Sequence, residues 1–324
     1  MTPNYPERIP LAHLPTPIES MPRLSSLLKG SELYIKRDDL TGLGGGGNKM
    51  RKMEYLLAEA KKQGCDHIIT TGGLQSNHCR QAAAAAARAG MGCSLVLRGH
   101  KPKQLTGNML LNKVLGAHVT WTNGDDPAEV MNRVEVQQAS MGHTAYQIPL
   151  GGSNVVGTAA YVAAMEELAC QLKEMSLNVD TIVFASGSGG TQAGIVLGAH
   201  LYGIRSQLYG ISVSRPAGEL KAQVGALATA TAAHLGLEMV NVIDRIEIND
   251  EYAEPGYGVV TSAEKEAIEL VAQKEGILLD PVYTGRAMAG LIDLIRWGAF
   301  TRNQTILFWH TGGAPALHAY ADQL

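Results

Sequence analysis

The chain is poor in charge and in long apolar runs, and it has few cysteines. Of its 324 residues 18% are charged, and 27 Lys and Arg against 30 Asp and Glu leave a net charge of -3, so no basic field for nucleic acid is expected. No run of about 18 apolar residues occurs, which predicts no membrane span. The N-terminal segment MTPNYPERIPLAHLPTP is broken by prolines and lacks an apolar core, so it is not expected to be a signal peptide.

The four cysteines, Cys65, Cys79, Cys93 and Cys170, form neither a Cys-x-x-Cys motif nor a zinc-like spacing with histidine. They predict small buried thiols in a reduced, cytoplasmic protein, with no metal site.

Short apolar segments alternate with longer helical patterns along the chain. The strands are predicted at 32–37, 67–72, 93–99, 118–123, 145–149, 181–186, 208–213, 240–245 and 305–310. The helices are predicted at 49–63, 77–90, 126–141, 157–175, 190–202, 217–236, 261–275 and 285–298. This alternation indicates an α/β protein with parallel sheets, in which ligands bind on the turns from strands into helices.

The first such turn is a glycine run, residues 42–47, that leads to Lys49. Asn48 is a plausible N-cap of the helix that follows. At 100° per residue, Met53 and Leu56 share a face with Lys49, whereas Arg51 and Glu54 lie opposite, so Lys49 is expected to point away from solvent. A buried lysine loses basicity, and a neutral amine is what Schiff-base chemistry requires; a lysine that only extends along an apolar surface is the alternative.

Two further turns could hold anions. At TTGGLQSNHCRQ, Ser76 and Asn77 begin a helix, where they could cap it or help to bind a carboxylate, and His78 is either an acid–base group or an ordinary first-turn histidine. At TIVFASGSGGTQAG, residues 186–191 combine glycines and hydroxyls at a helix N-terminus, which favours a phosphate cradle over a simple tight turn. That loop lacks both the P-loop lysine and the third glycine of a dinucleotide site, which points to a monophosphate.

Hydroxyl side chains occupy other turns, at Tyr257, Tyr283, Thr284 and Thr311. Each of them alone is ordinary. A desolvated lysine, a carboxylate site and a monophosphate cradle together describe pyridoxal 5'-phosphate, which carries an aldehyde and a phosphate.

The motifs that carry these residues resemble those of a known family. The chain is similar to the tryptophan-synthase β-like, fold-type II pyridoxal-phosphate enzymes, and among them to the 1-aminocyclopropane-1-carboxylate deaminase/D-cysteine desulfhydrase group. The matching segments span most of the chain: LPTPIESMPRLS, YIKRDDLTGLGGGGNKMRKMEYL, TTGGLQSNHCRQ, SGSGGTQAG, GYG, LLDPVYTG and HTGG.

The resemblance implies a role for each motif. Lys49 would bond to the cofactor aldehyde, and Asn77 would lie near the ring oxygen. Thr284 would face the ring nitrogen, and Thr311 would lie near the ring. The phosphate would be held by Gly187, Ser188, Gly189, Gly190 and Thr191.

The substrate would be met by the SNH motif and by two tyrosines. Ser76, Asn77 and His78 would hold its carboxylate, while Tyr257 and Tyr283 match the family's active-site pair. Lys49, Ser76 and the two tyrosines are the expected catalytic residues, and either Lys49 or a tyrosine would remove the α-proton.

The threonines at 284 and 311 help to rank the reactions. In the cyclopropane deaminases a glutamate and a leucine stand at these positions, whereas the D-cysteine desulfhydrases have threonines. A neutral hydroxyl does not demand a protonated ring nitrogen, which suits expulsion of a good β-leaving group. D-cysteine elimination is therefore expected first, L-cysteate sulfo-lyase activity second and cyclopropane deamination third, with a non-catalytic phosphate-ligand binding protein as a different class. For a sulfonate, the candidate cations are Arg80, Arg215 and Arg286, although each is expected to be structural or exposed.

The resemblance also implies an architecture. It predicts two lobes with parallel-sheet-rich three-layer structure: a large cofactor-binding domain from 1–45 and 153–324, and a small domain from 46–152. A homodimer acting on a small amino acid is expected, with no nucleic acid or membrane partner.

Overall fold

Two separate β-sheets organise the chain in the computed structural model, which describes residues 2–238 and 241–324. The larger sheet has six strands in the order β1-β2-β10-β7-β8-β9, and every neighbouring pair is parallel except β1 with β2. Its strands are β1 (Ile18–Ser20), β2 (Glu32–Arg37), β7 (Thr181–Ser186), β8 (Gln207–Ser212), β9 (Glu247–Asn249) and β10 (Thr305–His310).

The smaller sheet is fully parallel and has the order β5-β4-β3-β6. Its strands are β3 (His67–Gly72), β4 (Gly92–Leu97), β5 (His118–Trp121) and β6 (Ala145–Ile148). All four fall between residues 46 and 152, and the larger sheet uses strands outside that range. The exact domain limits, 1–45 with 153–324 and 46–152, stay a prediction.

Helices cover the faces of both sheets. They are α1 (Pro22–Leu28), α2 (Lys49–Lys62), α3 (Asn77–Ala89), α4 (Gly107–Val114), α5 (Pro127–Ser140), α6 (Val155–Glu174), α7 (Gly190–Leu201), α8 (Ala217–His234), α9 (Ser262–Glu275) and α10 (Thr284–Arg296). Short 3-10 helices occupy Asp38–Thr41, Leu43–Gly45, Leu150–Gly152, Ile243–Arg245 and Ala314–Ala319.

The larger sheet lies between two apolar cores. On central strand β10, Phe308 packs into the core formed with α9 and α10, and the next residue, Trp309, packs into the core formed with α6 and α7. Successive side chains of a strand point to opposite faces, so a strand covered on both sides reads as a continuous apolar run. This explains why β10 was recognisable in the sequence. The α/β class with parallel sheets is confirmed.

The predicted strand at 240–245 is wrong. Residues 243–245 form a 3-10 helix, the strand follows at Glu247–Asn249, and residue 240 lies outside the described part of the chain. Strand β9 pairs over only three residues of β8, from Tyr209 to Ile211, and so short an edge strand leaves little apolar pattern. Helices α1 and α4 and strand β1, all short, were not expected from the sequence.

All four cysteines, Cys65, Cys79, Cys93 and Cys170, are free thiols. Cys170 is exposed, so the prediction of buried thiols is wrong for that residue.

In the described residues, helices that combine the length and the apolar character needed to cross a membrane are not found.

Helix α2 is buried on both faces, which the helical-wheel pattern did not indicate. Arg51 is 3% exposed and forms ion pairs of 2.9 Å with Asp38 and 2.8 Å with Glu167. Glu54 is 1% exposed and accepts the backbone N–H groups of Leu11 and Ala12 at 2.8 and 2.9 Å. The charged face thus bonds to the rest of the protein rather than to solvent.

Candidate active site

A cavity of about 440 Å³ opens where the strands of both sheets end. A cavity of this size is typical of small-molecule sites. Gly72 after β3, Ser186 at the end of β7 and Thr311 after β10 all contribute to its wall. The expected site residues on the wall are Lys49, Ser76, Asn77, His78, Gly187, Ser188, Gly189, Thr191, Tyr257, Tyr283 and Thr311. Gly190 and Thr284 are not among the residues that line the cavity.

Lys49 is the first residue of α2 and faces the cavity. Its Nζ donates a hydrogen bond of 3.1 Å to the carbonyl oxygen of Gly151, and Lys52 Nζ donates to the same oxygen at 3.1 Å. Burial lowers the pKa of Lys49 to about 8, and burial together with the charge of Lys49 holds the pKa of Lys52 well below its ordinary value. A neutral amine is therefore accessible at Lys49 near physiological pH.

Asn48 does not cap α2, contrary to the expectation. Its own backbone is already helical, with φ −57° and ψ −26°, so its side chain does not bond back to the helix. Instead Asn48 Nδ2 donates to Thr191 Oγ1 at 3.2 Å, and Gln81 Oε1 accepts the N–H of Met50 at 2.9 Å. The residue before the lysine is thereby tied to the glycine loop.

The glycine loop and the start of α7 leave an open space beside Gly190. Gly189 is the N-cap of α7, and Gly190 is its first residue. A Cβ atom at Gly190 would lie 2.5 Å from Ser153 Oγ and 2.9 Å from Lys52 Nζ, so only glycine leaves this space open. Ser188 and Ser153 join their hydroxyls at 2.8 Å beside it. Backbone N–H groups, hydroxyls and an ammonium are the donors that a phosphate requires.

The beginning of α3 is capped as predicted. Ser76 Oγ accepts the N–H of Cys79 at 3.2 Å. The next side chain, Asn77, accepts from Asn108 Nδ2 at 2.7 Å and lies 3.4 Å from Asp280 Oδ2. The Asn77 amide is thus held on two sides at the cavity wall.

His78 lies on the same wall and is almost fully buried. Its Nε2 lies 2.8 Å from Thr70 Oγ1, and its Nδ1 has no hydrogen-bond partner among the described residues. Burial, together with the charges of Lys49 and Lys52, holds the pKa of His78 well below its ordinary value. The imidazole is therefore neutral.

The two expected tyrosines are brought together. Their hydroxyl oxygens are 3.0 Å apart, and their rings meet edge to face with centroids 5.8 Å apart. Tyr257 is 44% exposed at the rim, whereas Tyr283 lies deeper. Burial and the neighbouring Tyr257 hold the pKa of Tyr283 well above its ordinary value, so its hydroxyl keeps its proton.

The two expected threonines differ in position. Thr311 lines the cavity. Thr284 is fully buried and donates its hydroxyl proton to Asp280 Oδ1 at 2.9 Å, while it accepts the Asp280 N–H at 2.7 Å. Gly313, with φ 112°, packs directly against Asn77 and Asp280, and a Cβ atom there would lie 2.4 Å from Asn77 Nδ2 and 2.6 Å from Asp280 Cβ. Thr284 therefore does not line the cavity, and its hydroxyl proton is already donated to Asp280.

Two of the arginines considered for a sulfonate are structural. Arg80 donates to Asn108 and to a backbone carbonyl, and Arg286 forms a buried ion pair of 2.7 Å with Glu264. Arg215 does line the cavity, and Arg98, which the sequence reasoning did not single out, lines it as well. The cavity wall carries no Asp or Glu side chain in the described residues.

Besides Arg98, sequence reasoning missed three residues near the site: Lys52, Ser153 and Asp280. Lys52 lies three residues after Lys49, and this spacing alone places both on one helical face, so it could have been found. Ser153 and Asp280 join the site only through the fold, because each meets a residue distant in sequence, Ser188 and Asn77 respectively.

The residues present fit the expected cofactor. A lysine amine faces the cavity 3.1 Å from a backbone carbonyl, and its helix neighbour Lys52 borders the open space at Gly190. An aldehyde and a phosphate carried on one small molecule would meet these two features.

Comparisons with known proteins agree with this geometry. A family model described as "Pyridoxal-phosphate dependent enzyme" matches residues 9–312. The D-cysteine desulfhydrase of Salmonella newport is 44% identical over 319 residues, covering 97% of this chain and 96% of the relative. The D-cysteine desulfhydrase of Klebsiella pneumoniae is 43% identical over 323 residues, covering 98% and 97%. A crystal structure described as an ACC deaminase homologue superposes with a TM-score of 0.89 at 39% identity, covering 98% of this chain and 95% of the other.

Proposed function

Because the chain belongs to the pyridoxal-phosphate dependent enzyme family and uses pyridoxal 5'-phosphate as its cofactor, we propose that it converts D-cysteine to pyruvate, ammonia and hydrogen sulfide. Its fold is the two-lobed, fold-type II architecture of that family. Full-length relatives at 44% and 43% identity bear the name D-cysteine desulfhydrase. The observation that carries the proposal is the Lys49 amine, whose pKa is lowered to about 8 by burial and which faces a cavity beside the glycine loop.

The cofactor is held by groups from both lobes. When bound, pyridoxal phosphate supplies an aldehyde that reacts with amino groups and a ring that accepts the electron pair left by the departing α-proton. Lys52 and the α7 N-terminus would hold its phosphate, and Lys49 would bond to its aldehyde. Asn77 would bind its ring oxygen, and Thr311 would face the ring, backed by Thr284.

Lys49 is the better of the two candidate bases. A base must lose its proton before it can accept the substrate's α-proton. The pKa of Lys49 is lowered to about 8 by burial, whereas burial and Tyr257 raise that of Tyr283. We therefore assign proton removal to Lys49. The tyrosine pair, with Tyr257 at the rim and Tyr283 deeper, keeps its protons and would donate one to the leaving sulfur.

The substrate carboxylate would be held at the start of α3. Asn77 and His78 present backbone N–H groups there, at the positive end of the helix dipole, and Ser76 contributes its hydroxyl because its own N–H donates to Gly73 O at 3.1 Å.

L-cysteate is the second candidate substrate, and one observation favours it. Arg98 and Arg215 line the cavity, and no carboxylate accompanies them on the described wall. Arg215 already lies 4.0 Å from Glu219 and donates to Gln223, whereas Arg98 forms no ion pair among the described residues, so Arg98 is the guanidinium group that suits a second negative charge, such as a sulfonate.

The deciding experiment compares substrates on one preparation of the holoenzyme. We expect pyruvate and sulfide from D-cysteine at a higher kcat/KM than pyruvate from L-cysteine, L-cysteate or 1-aminocyclopropane-1-carboxylate. Lys49→Ala, as a folded control, should form no pyruvate. A higher kcat/KM for L-cysteate would replace the first candidate by the second, and a protein inactive on all four would refute the elimination chemistry.

A homodimer in the cytoplasm completes the proposal. It is supported by the family resemblance and, for a reducing compartment, by four free thiols. Sedimentation equilibrium should give twice the chain mass of 34.4 kDa, and a monomer would refute the dimer.

A further inference from the structure

The protonation state of His78 is fixed by a short chain of hydrogen bonds. The backbone oxygen of Ile148 can only accept, and Thr70 Oγ1 lies 2.8 Å from it. Thr70 therefore donates its single hydroxyl proton to the Ile148 carbonyl oxygen. Its oxygen must then accept a hydrogen bond from His78 Nε2–H, 2.8 Å away. His78 is thus an Nε2–H tautomer whose Nδ1 carries a lone pair.

That lone pair has no partner in the described chain. His78 is 4% exposed, and its Nδ1 is a buried atom without a hydrogen bond. A buried acceptor left unpaired is costly, so its presence beside the cavity calls for a partner that it meets in some state of the protein.

The possible donors nearby are two lysines. A Cβ atom placed on Gly152 would lie 3.5 Å from Lys52 Cδ and 3.6 Å from His78 Cε1, so the lysine stem and the imidazole flank the same glycine. Both Lys49 Nζ and Lys52 Nζ donate to the oxygen of Gly151, which uses both of its lone pairs. Each ammonium group has three protons, so donors remain for a further acceptor.

Few other titratable groups face this cluster. Lys49 and Lys52 come from α2, and His78 and Cys79 come from α3. The flanking segments 150–152 and 187–190 carry no titratable side chain. The charges of Lys49 and Lys52, with burial, keep the imidazole unprotonated, so its lone pair is available over the working pH range.

We propose that His78 is a positioning residue for Lys49, whose amine donates a hydrogen bond to His78 Nδ1 once the substrate's amino group has displaced it. The inference rests on the proposed function. Lys49 Nζ would take up the substrate's α-proton on its lone pair, and the electron pair of the broken Cα–H bond would pass to the ring that the cofactor supplies. The resulting ammonium then has Gly151 O and His78 Nδ1 as acceptors. The four-carbon stem of lysine allows this reach.

The first test reads the tautomer directly. In holoenzyme labelled with ¹⁵N-histidine, the His78 signals, assigned by their loss in His78→Gln, should show a protonated Nε2 and a bare Nδ1 from about pH 6 to about pH 9. A protonated Nδ1, or an imidazolium within that range, would overturn the proposal. This measurement needs no substrate, so it stands even if D-cysteine is not turned over.

The second test uses two variants that each keep one half of the imidazole. Gln places an amide near Nε2, which can still donate to Thr70, and Asn places an oxygen near Nδ1. An acceptor stabilises the charged amine and so raises its pKa. His78→Gln should therefore lower kcat for D-cysteine about three- to tenfold and move the acid limb of the kcat–pH profile to lower pH, with KM changed less than about twofold.

His78→Asn should restore kcat to within about twofold of the wild type. Two results would contradict the proposal: an unchanged kcat–pH profile in His78→Gln, or equal losses in both variants, which would indicate a packing role only. A wild-type enzyme that releases no sulfide from D-cysteine would instead refute the proposed function.

Discussion

Replacing Lys49 with methionine should stabilise the cofactor-free protein. Burial lowers the pKa of Lys49 from 10.5 to about 8, so at neutral pH the folded chain carries a proton on an amine that is poorly solvated. Methionine has a similar length and no charge, and Lys52 still donates to the Gly151 oxygen after the change. The substitution removes the cost of burying the charge without leaving that carbonyl unpaired.

The size of the effect follows from the pKa difference. The pKa of Lys49 falls from 10.5 to about 8. At about 1.4 kcal/mol per pKa unit, the free-energy cost of burying the charged amine is at most about 3 kcal/mol. Lys49 is partly exposed, and solvent screening reduces this to about 1–3 kcal/mol. Between pH 8 and 10.5 the unfolded chain holds the proton and the folded chain does not, so wild-type stability rises with pH in that window. The advantage of the variant should be full below pH 8 and shrink above it.

Urea unfolding of the two apoproteins at about pH 7 and about pH 9.5 measures this difference, provided that their m-values agree. Lys103→Met, in an exposed loop, is the matched control and should change stability by less than about 0.5 kcal/mol. The reasoning fails if Lys49→Met is no more stable than wild type at neutral pH, or if its gain is the same at both pH values.

Two further substitutions test the cofactor cradle and the layer behind it. Gly190→Ala puts a methyl 2.5 Å from Ser153 Oγ and 2.9 Å from Lys52 Nζ, and should raise the Kd for pyridoxal phosphate at least about tenfold in a fluorescence titration. Gly218→Ala, where a Cβ meets nothing within 4 Å, is its control, and equal Kd values for the two variants would count against the cradle. Asp280→Ala removes the acceptor of the N–H groups of residues 282–284 and should cost about 2–5 kcal/mol in urea unfolding, while a variant as stable as wild type would show that these bonds contribute little.

The sequence predicted the long, periodic elements and the turns that follow them. Central strands such as β7 and β10 are buried on both faces and read as apolar runs, and helices such as α3 show their cap and their period. The three-residue strands β1 and β9 carry no comparable pattern, because their pairing depends on neighbours brought by the fold.

The site shows the same division. Lys49, the SNH segment and the glycine loop were predictable because each sits on a turn whose chemistry is local. Thr284 could not be placed from sequence, since its hydroxyl orientation is decided by Asp280, a residue whose burial only the fold sets. Arg98 also could not be placed from sequence. It lies on the cavity wall because it directly follows β4, and β4 pairs with β3 as far as Gly72.

Helix α2 is bonded to elements on either side of it in the sequence that lie outside residues 46–152. At its beginning Asn48 bonds to Thr191 of the glycine loop at 3.2 Å, and one turn later Arg51 bonds to Asp38 and Glu167 of the large lobe. Breaking a buried ion pair costs about 3–5 kcal/mol, because the remaining charge is stranded. A boundary at residue 46 assigns α2 to the small lobe, yet its strongest polar bonds go to the large one. The bonds of Asn48 and Arg51 therefore hold Lys49 close to the glycine loop without involving a residue of strands β3–β6.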